Sequence, residues 1–342
     1  MKRLSILFAA LLVLISVLGM TVSATPETDY SSITGNYTMR VGVPTGGKHY
    51  SNFNVENFKE IVEEKSGGHI VVEIYPSGQW GTVVQCCENC LDGTLEAINL
   101  PAAYLATYAP AISILELPFL FDASIGVAEH CYQILNAGTS LDQYLESKGF
   151  VVGSWIRSGE NYILSTSPIE SVDDMAGKKI RCHTSNIVQE TMKAIGAVPT
   201  MVDTADLATS LSNGTVDATE SDPSFVWTQK YYEQANNYLK MPLRPNQIIF
   251  AFSEYWFSSL PEDVQACIME SAKEAVEREH EYCSNLMENV FSQMEEAGVN
   301  IIDPDEAFVN DLKEKTAGIK DLYISINDDC AAMYEEFAAL VK

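Results

Sequence analysis

The chain has 342 residues, with 21 Lys and Arg against 47 Asp and Glu and a net charge of −26. So acidic a protein excludes nucleic acid as a partner and argues against an anionic membrane surface. Its length suffices for two domains with buried cores, at ~100 to 200 residues each.

The chain opens with a basic Met1-Lys2-Arg3, an almost wholly apolar stretch from Leu4 to Met20, and small residues at Val22-Ser23-Ala24. Residues 1–24 therefore read as a removable signal peptide. An uncleaved anchor is the alternative, although an apolar run of about 17 residues is at the lower limit for a bilayer span. No cysteine follows the run, which argues against a lipid anchor and favours a periplasmic or secreted protein. Losing Lys2 and Arg3 moves the net charge from −26 to −28. Residues 25–36 are polar and read as a flexible lead-in.

Regular structure is expected from Thr38, where Thr38 to Val43 alternates into a strand. Asn54 to Lys65 then carries Val55, Phe58, Ile61 and Val62 at helical spacing. A second strand spans His69 to Tyr75 and ends at Pro76, and a helix through Cys86 to Leu91 leads to a third strand at Leu95 to Leu100. The alternation restarts near Gly149. Strands are predicted at 150–155, 162–165, 179–182, 199–202 and 215–219, with helices at 185–194 and 205–211. Alternating strands and helices point to an α/β protein with parallel sheets in two similar lobes. From Pro261 to Glu296 no Gly or Pro interrupts an amphipathic pattern. That predicts one helix of about 50 Å at 1.5 Å per residue, long enough to cross both lobes. The division expected is lobe I at 37–155 with part of 248–260, lobe II at 156–247, the spanning helix at 261–297, and packed C-terminal helices at 298–342.

Eight cysteines in an exported chain permit disulfides in ~105 pairings, so connectivity stays open. Cys267 and Cys283 sit 16 residues apart on the predicted long helix. At about 24 Å they are too distant to bridge each other. Cys87 and Cys90 form a C-x-x-C. The motif lacks the strand-to-helix-start setting of a redox site and a second Cys or His pair for zinc.

The mature chain resembles, over nearly its whole length, the substrate-binding proteins of tripartite ATP-independent periplasmic (TRAP) transporters of the DctP type. The resemblance is carried in the first lobe by Phe58 to Gly68, by Ile74-Tyr75-Pro76-Ser77-Gly78-Gln79-Trp80-Gly81 and by Leu117-Pro118-Phe119-Leu120-Phe121. It continues through Pro168-Ile169, Gly177-Lys178-Lys179-Ile180-Arg181, Gly196-Ala197-Val198-Pro199, Val216-Asp217 and Leu260 to Gln265. It implies a periplasmic-binding-protein-like fold of two lobes, joined by crossing strands and a long helix, that closes on its ligand. It further implies a monomer without a cofactor that captures an organic acid and delivers it to membrane permease subunits driven by an ion gradient. No chemistry is performed by such a receptor. A ligand sensor that signals through a membrane receptor would present the same trap.

By the same resemblance Arg181 grips the ligand carboxylate, which suits a planar guanidinium with two parallel N–H donors. A structural ion pair is the alternative role. Many relatives carry another arginine where alignment on Gly159 and Pro168-Ile169 places Asn161. Arg244 and, less favourably, Arg157 are the replacements available. The family's Asp-Gly-Gln-Glu-Asn-like turn reads Asp217-Ala218-Thr219-Glu220-Ser221, so Thr219 and Ser221 are candidate contacts. Tyr104, at the end of an apolar stretch after the third strand, and His49 and Tyr50, after the first, join them. His183, Trp155, Phe225 and Trp227 are further neighbours of the expected cleft. These changes favour a monocarboxylate with an uncharged or aromatic remainder.

Enzyme motifs fail at their working positions. Gly42 to His49 nearly matches the phosphate-binding loop, but His49 stands where a magnesium-binding hydroxyl is required. His280-Glu281 begins H-E-x-x-H, yet Ser284 replaces the second histidine, and no G-x-S-x-G is present.

Overall fold

A computed structural model describes residues 28, 30–46, 49–157, 159–182, 184–241 and 243–342. The expected signal peptide, His183, and Gly47-Lys48 of the near phosphate-loop match lie outside the described residues. In chain order the strands are β1 (Tyr37–Gly42), β2 (Ile70–Tyr75), β3 (Ala97–Pro101), β4 (Phe150–Ile156), β5 (Tyr162–Ser165), β6 (Lys179–Cys182), β7 (Val198–Met201), β8 (Ala218–Ser221), β9 (Asn237–Leu239), β10 (Ile248–Ser253) and β11 (Asn300–Ile302). They form two sheets, ordered β2-β1-β3-β10-β4 and β11-β9-β5-β8-β6-β7.

Both sheets are mixed, which corrects the expectation of parallel sheets. β1 runs parallel to β2 and β3, but β10 is antiparallel to both β3 and β4. In the second sheet β5 is antiparallel to β8 and β9. The physical reason lies in the two strand-to-strand crossings between the sheets. The chain leaves β4 through residues 157–161 to enter β5, and returns from β9 through 240–247 into β10. A strand that returns in this way is inserted against the direction set by the strand–helix–strand units. β10 shows why such a strand belongs in the middle. Ile248, Phe250 and Phe252 fill the core on one face, and Ile249 and Ala251 fill the core on the other.

The two crossing segments pair with each other. Asn161 N donates to Arg244 O at 3.2 Å and Asn246 N donates to Gly159 O at 2.9 Å, which makes a short hinge ladder. The third connection is the helix Glu262–Glu296. Its Val264, Cys267, Ile268, Ala272, Ala275 and Val276 pack into the first lobe's core, and Val290 and Met294 into the second's.

Two segments depart from the expectations. Tyr30 and Ile33 of the lead-in are buried, and Tyr30 Oη donates to Glu270 Oε2 at 2.9 Å, so the end of that segment is pinned rather than flexible. Beyond the long helix the chain first adds β11 to the second sheet, parallel to β9. The helices Glu306–Thr316, Ile319–Ile324 and Asp328–Leu340 follow. The last two carry Ile319, Tyr323, Met333 and Phe337 into the first lobe's core. All eight cysteines are buried free thiols. Burial pushes the Cys86 thiol up to about 11 and raises those of Cys87 and Cys90 as well, the reverse of what a reactive thiolate needs.

Candidate functional site

Between the lobes lies a partly enclosed cleft, with about 500 Å³ of atom-free space when the solvent at its mouth is counted. Its wall is built from both lobes and the hinge. The first lobe contributes Thr45, His49, Ser51, Asn99 and Tyr104, the second Arg181, Thr204, Ser221, Asp222 and Phe225, and the hinge Asn161 and Asn246. Hydrogen bonds already cross it, from Arg181 Nη2 to Tyr104 Oη at 3.2 Å and from Gln229 Nε2 to Gly46 O at 3.3 Å.

Arg181 is placed by strand alternation. Its neighbour Ile180 points into the second lobe's core, so Arg181 leaves the sheet on the opposite face. Only 3% of its surface is exposed. Nε donates to Val202 O at 3.1 Å, and Nη2 to Thr204 Oγ1 and Tyr104 Oη, both at 3.2 Å. Each of these partners is neutral. Among the described residues no carboxylate lies within ion-pair distance of this guanidinium. A buried charge held by dipoles alone is costly unless something of opposite sign joins it.

Arg244 meets the opposite situation, and its expected role as a ligand cation is corrected. Nε and Nη2 grip Glu220 Oε1 and Oε2 at 2.8 and 2.6 Å, and Nη1 donates to Glu116. Glu116 belongs to the first lobe, Glu220 to the second and Arg244 to the hinge, so this buried triad ties all three together. Burial raises the Glu116 carboxyl to about 7 against the pull of Arg244. Arg157 is likewise occupied, by Glu129 Oε2 at 2.6 Å and Ser284 Oγ at 2.8 Å.

The other expected contacts divide. Asn161, Ser221, Tyr104 and His49 line the cleft, whereas Tyr50 and Thr219 do not. Tyr50 is buried beneath His49 with ring centroids 4.1 Å apart. Thr219 is fully buried in β8 and turns its hydroxyl to Glu220 O at 3.3 Å. Phe225 reaches the cleft. Trp155 instead fills the first lobe's core, with Nε1 bonded to Asp142 Oδ1 at 2.8 Å, and Trp227 stacks on Tyr232 at 4.9 Å.

Hydrogen-bond direction fixes what the polar wall offers. Asn161 donates its amide to Pro245 O at 3.3 Å and Asn99 donates to Ser51 O at 2.9 Å, so in each the NH2 faces a carbonyl. Their Oδ1 atoms are buried acceptors with no partner among the described residues. His49 caps the helix Tyr50–Lys65 by accepting Ser51 N at Nδ1, 3.2 Å away. That leaves Nε2 for the ring proton, 3.9 Å from Asp222 Oδ2. Asp222 caps the helix Pro223–Thr228 through Oδ1, accepting Phe225 N at 3.0 Å and Ser224 Oγ at 2.8 Å, while Oδ2 accepts Asn246 Nδ2 at 2.8 Å. Burial opposes the charge on Asp222, but His49 and these donors hold its carboxyl below the usual range.

Sequence reasoning missed Asp222, Asn246, Thr204 and Ser51. For Asp222 a signal was present, since Asp-Pro at 222–223 is an N-cap followed by proline at the first helical position.

Two lobes, a double-crossing hinge and a polar cleft centred on a buried cation define a two-lobed ligand-binding receptor. The chain belongs to the DctP family, bacterial extracellular solute-binding protein family 7, whose profile matches residues 45–325. Among relatives, it is 24% identical to the 2,3-diketo-L-gulonate-binding periplasmic protein YiaO of Escherichia coli over 269 residues, 78% of this chain and 80% of the relative. It is 26% identical to the C4-dicarboxylate-binding periplasmic protein DctP of Rhodobacter capsulatus over 246 residues, 70% and 72% of the two chains. The fold matches a TRAP periplasmic solute-binding protein of Desulfovibrio salexigens with bound orotic acid at a TM-score of 0.83 and 24% identity, covering 90% of this chain and 100% of that one. It also matches the sugar acid binding protein of Advenella mimigardefordensis in complex with galactonate, at a TM-score of 0.84 and 21% identity, over 90% and 99% of the chains.

Proposed function

We propose that this protein is an exported receptor that captures a small organic acid by one carboxylate and delivers it to a TRAP-type permease in the membrane. The observation that carries this reading is Arg181, a buried guanidinium without a carboxylate partner among the described residues. A ligand carboxylate supplies the missing charge, and the cross-lobe bond from Arg181 to Tyr104 couples its capture to closure. The relatives named above, which bind or hold organic acids, support the same class. Among the described residues one Lys or Arg side chain lines the cleft, with Asp222 on the same wall, which favours one ligand carboxylate over two.

The test is a thermal-shift screen of the purified chain against organic acids and their neutral amides, repeated on Arg181→Ala. A ligand at a hundred times its dissociation constant stabilises the protein by about 2.7 kcal/mol. The reading expects hits among acids and not amides, weakened roughly 30-fold or more in the variant. Full affinity for an acid in Arg181→Ala would overturn it.

A further inference from the structure

Among the described residues Arg181 is one of two formal charges on the cleft wall. Asp222 is the other, as deeply buried and on the hinge side. Among the described residues no Lys or Arg lies within ion-pair distance of it, and its one basic neighbour is His49 at 3.9 Å. The same lining is rich in acceptors, with Asn99 Oδ1 and Asn161 Oδ1 both buried and unpartnered among the described residues. Two residues before Asp222 in the chain, Glu220 belongs to the triad that sets two carboxyl groups against the one guanidinium of Arg244. This side of the cleft therefore asks for positive charge and hydrogen-bond donors. A simple carboxylate would satisfy Arg181 and leave Asp222 buried beside an added negative charge, which costs affinity. A molecule carrying both signs pairs each wall charge with its opposite and leaves the cleft neutral.

We infer that the ligand is a zwitterionic amino carboxylate, its carboxylate on Arg181 and its ammonium on Asp222 with the side-chain oxygens of Asn99 and Asn161. The inference rests on the reading of Arg181 as the carboxylate anchor and adds the second pole. Asp222 and Asn161 are then the residues that set specificity. Phe225, Val83 and Leu100 add apolar surface to the lining. The ammonium thereby replaces the uncharged remainder expected from the sequence.

Calorimetric titration with matched trios tests this. Each trio holds an amino acid, the hydroxy acid of the same skeleton and the acid with neither group, across α-, β- and γ-amino spacings and small to aromatic remainders. The expected result is an amino acid bound at least roughly 30-fold tighter than its two counterparts, a preference that Asp222→Asn abolishes. Asparagine retains the helix cap, so the variant is expected to fold. Asn161→Asp provides an independent arm, since a second carboxylate on that wall strengthens the preference. A hydroxy acid or plain acid that binds best, with Asp222→Asn indifferent to the amine, overturns the zwitterion while leaving the Arg181 reading intact if Arg181→Ala still loses it. Failure of every acid in the trios, or binding indifferent to Arg181→Ala, overturns both.

Discussion

Arg181 and Arg244 are both almost wholly buried, at 3% and 2% exposure, yet their surroundings oppose each other. Arg244 is enclosed by Glu116 and Glu220 from the two lobes, whereas Arg181 is held by a carbonyl and two hydroxyls. In the hinge the chain neutralises its own cation and gains a fixed junction. In the cleft it positions a cation and leaves the neutralising to the ligand. Residue type and burial alone do not separate these roles; the charge of the partners does.

The largest expected effect falls on the hinge. Arg244→Met strands two buried carboxyl groups and is expected to destabilise the fold by about 3 to 5 kcal/mol, read by urea denaturation. A variant as stable as the parent would break the contrast. Glu279 offers a third solution to a buried charge, because burial on the long helix pushes its carboxyl well above the usual range, against weaker opposing pulls from Arg157 and Cys283. The unfolded chain releases this proton above about pH 4.3 while the folded chain keeps it, so the group's contribution to stability declines as pH rises past that point. Glu279→Gln removes that decline. Its gain over the parent is expected to grow as pH rises above about 5, at up to about 1.4 kcal/mol per pH unit, and a gain independent of pH would contradict the assignment. The smallest effect belongs to Tyr104, whose hydroxyl meets Arg181 across the cleft. Tyr104→Phe is expected to weaken ligand binding by about 1 kcal/mol, roughly fivefold, with little change in the melting temperature. An unchanged dissociation constant in calorimetry would remove that contact from closure.

Much of this architecture was legible in the sequence because it depends on local periodicity. The strand Tyr162–Ser165 follows from a short apolar run and the helix Glu262–Glu296 from an uninterrupted amphipathic pattern. The antiparallel insertion of β10 was not legible, since Ile248 to Phe252 is apolar on both faces and carries no period that reveals direction. In the site, the resemblance drew attention to Arg181, Asn161, Tyr104, Ser221 and His49. It also drew attention to Arg244, because an arginine's sequence neighbours do not disclose carboxylates 24 and 128 residues away. Asp222 went unnoticed for the converse reason. A capping aspartate before a proline is an ordinary helix start, and only the packing of His49 and Asn246 around it brings it to the cleft wall.

The central claim is most directly tested by titrating one bound organic acid into Arg181→Met and Arg244→Met side by side, with urea denaturation of each. The account predicts that Arg181→Met loses roughly 30-fold or more in affinity while its stability is unchanged or improved, and that Arg244→Met loses stability as its primary defect. An Arg181→Met protein that is strongly destabilised yet binds the acid as tightly as the parent would contradict it.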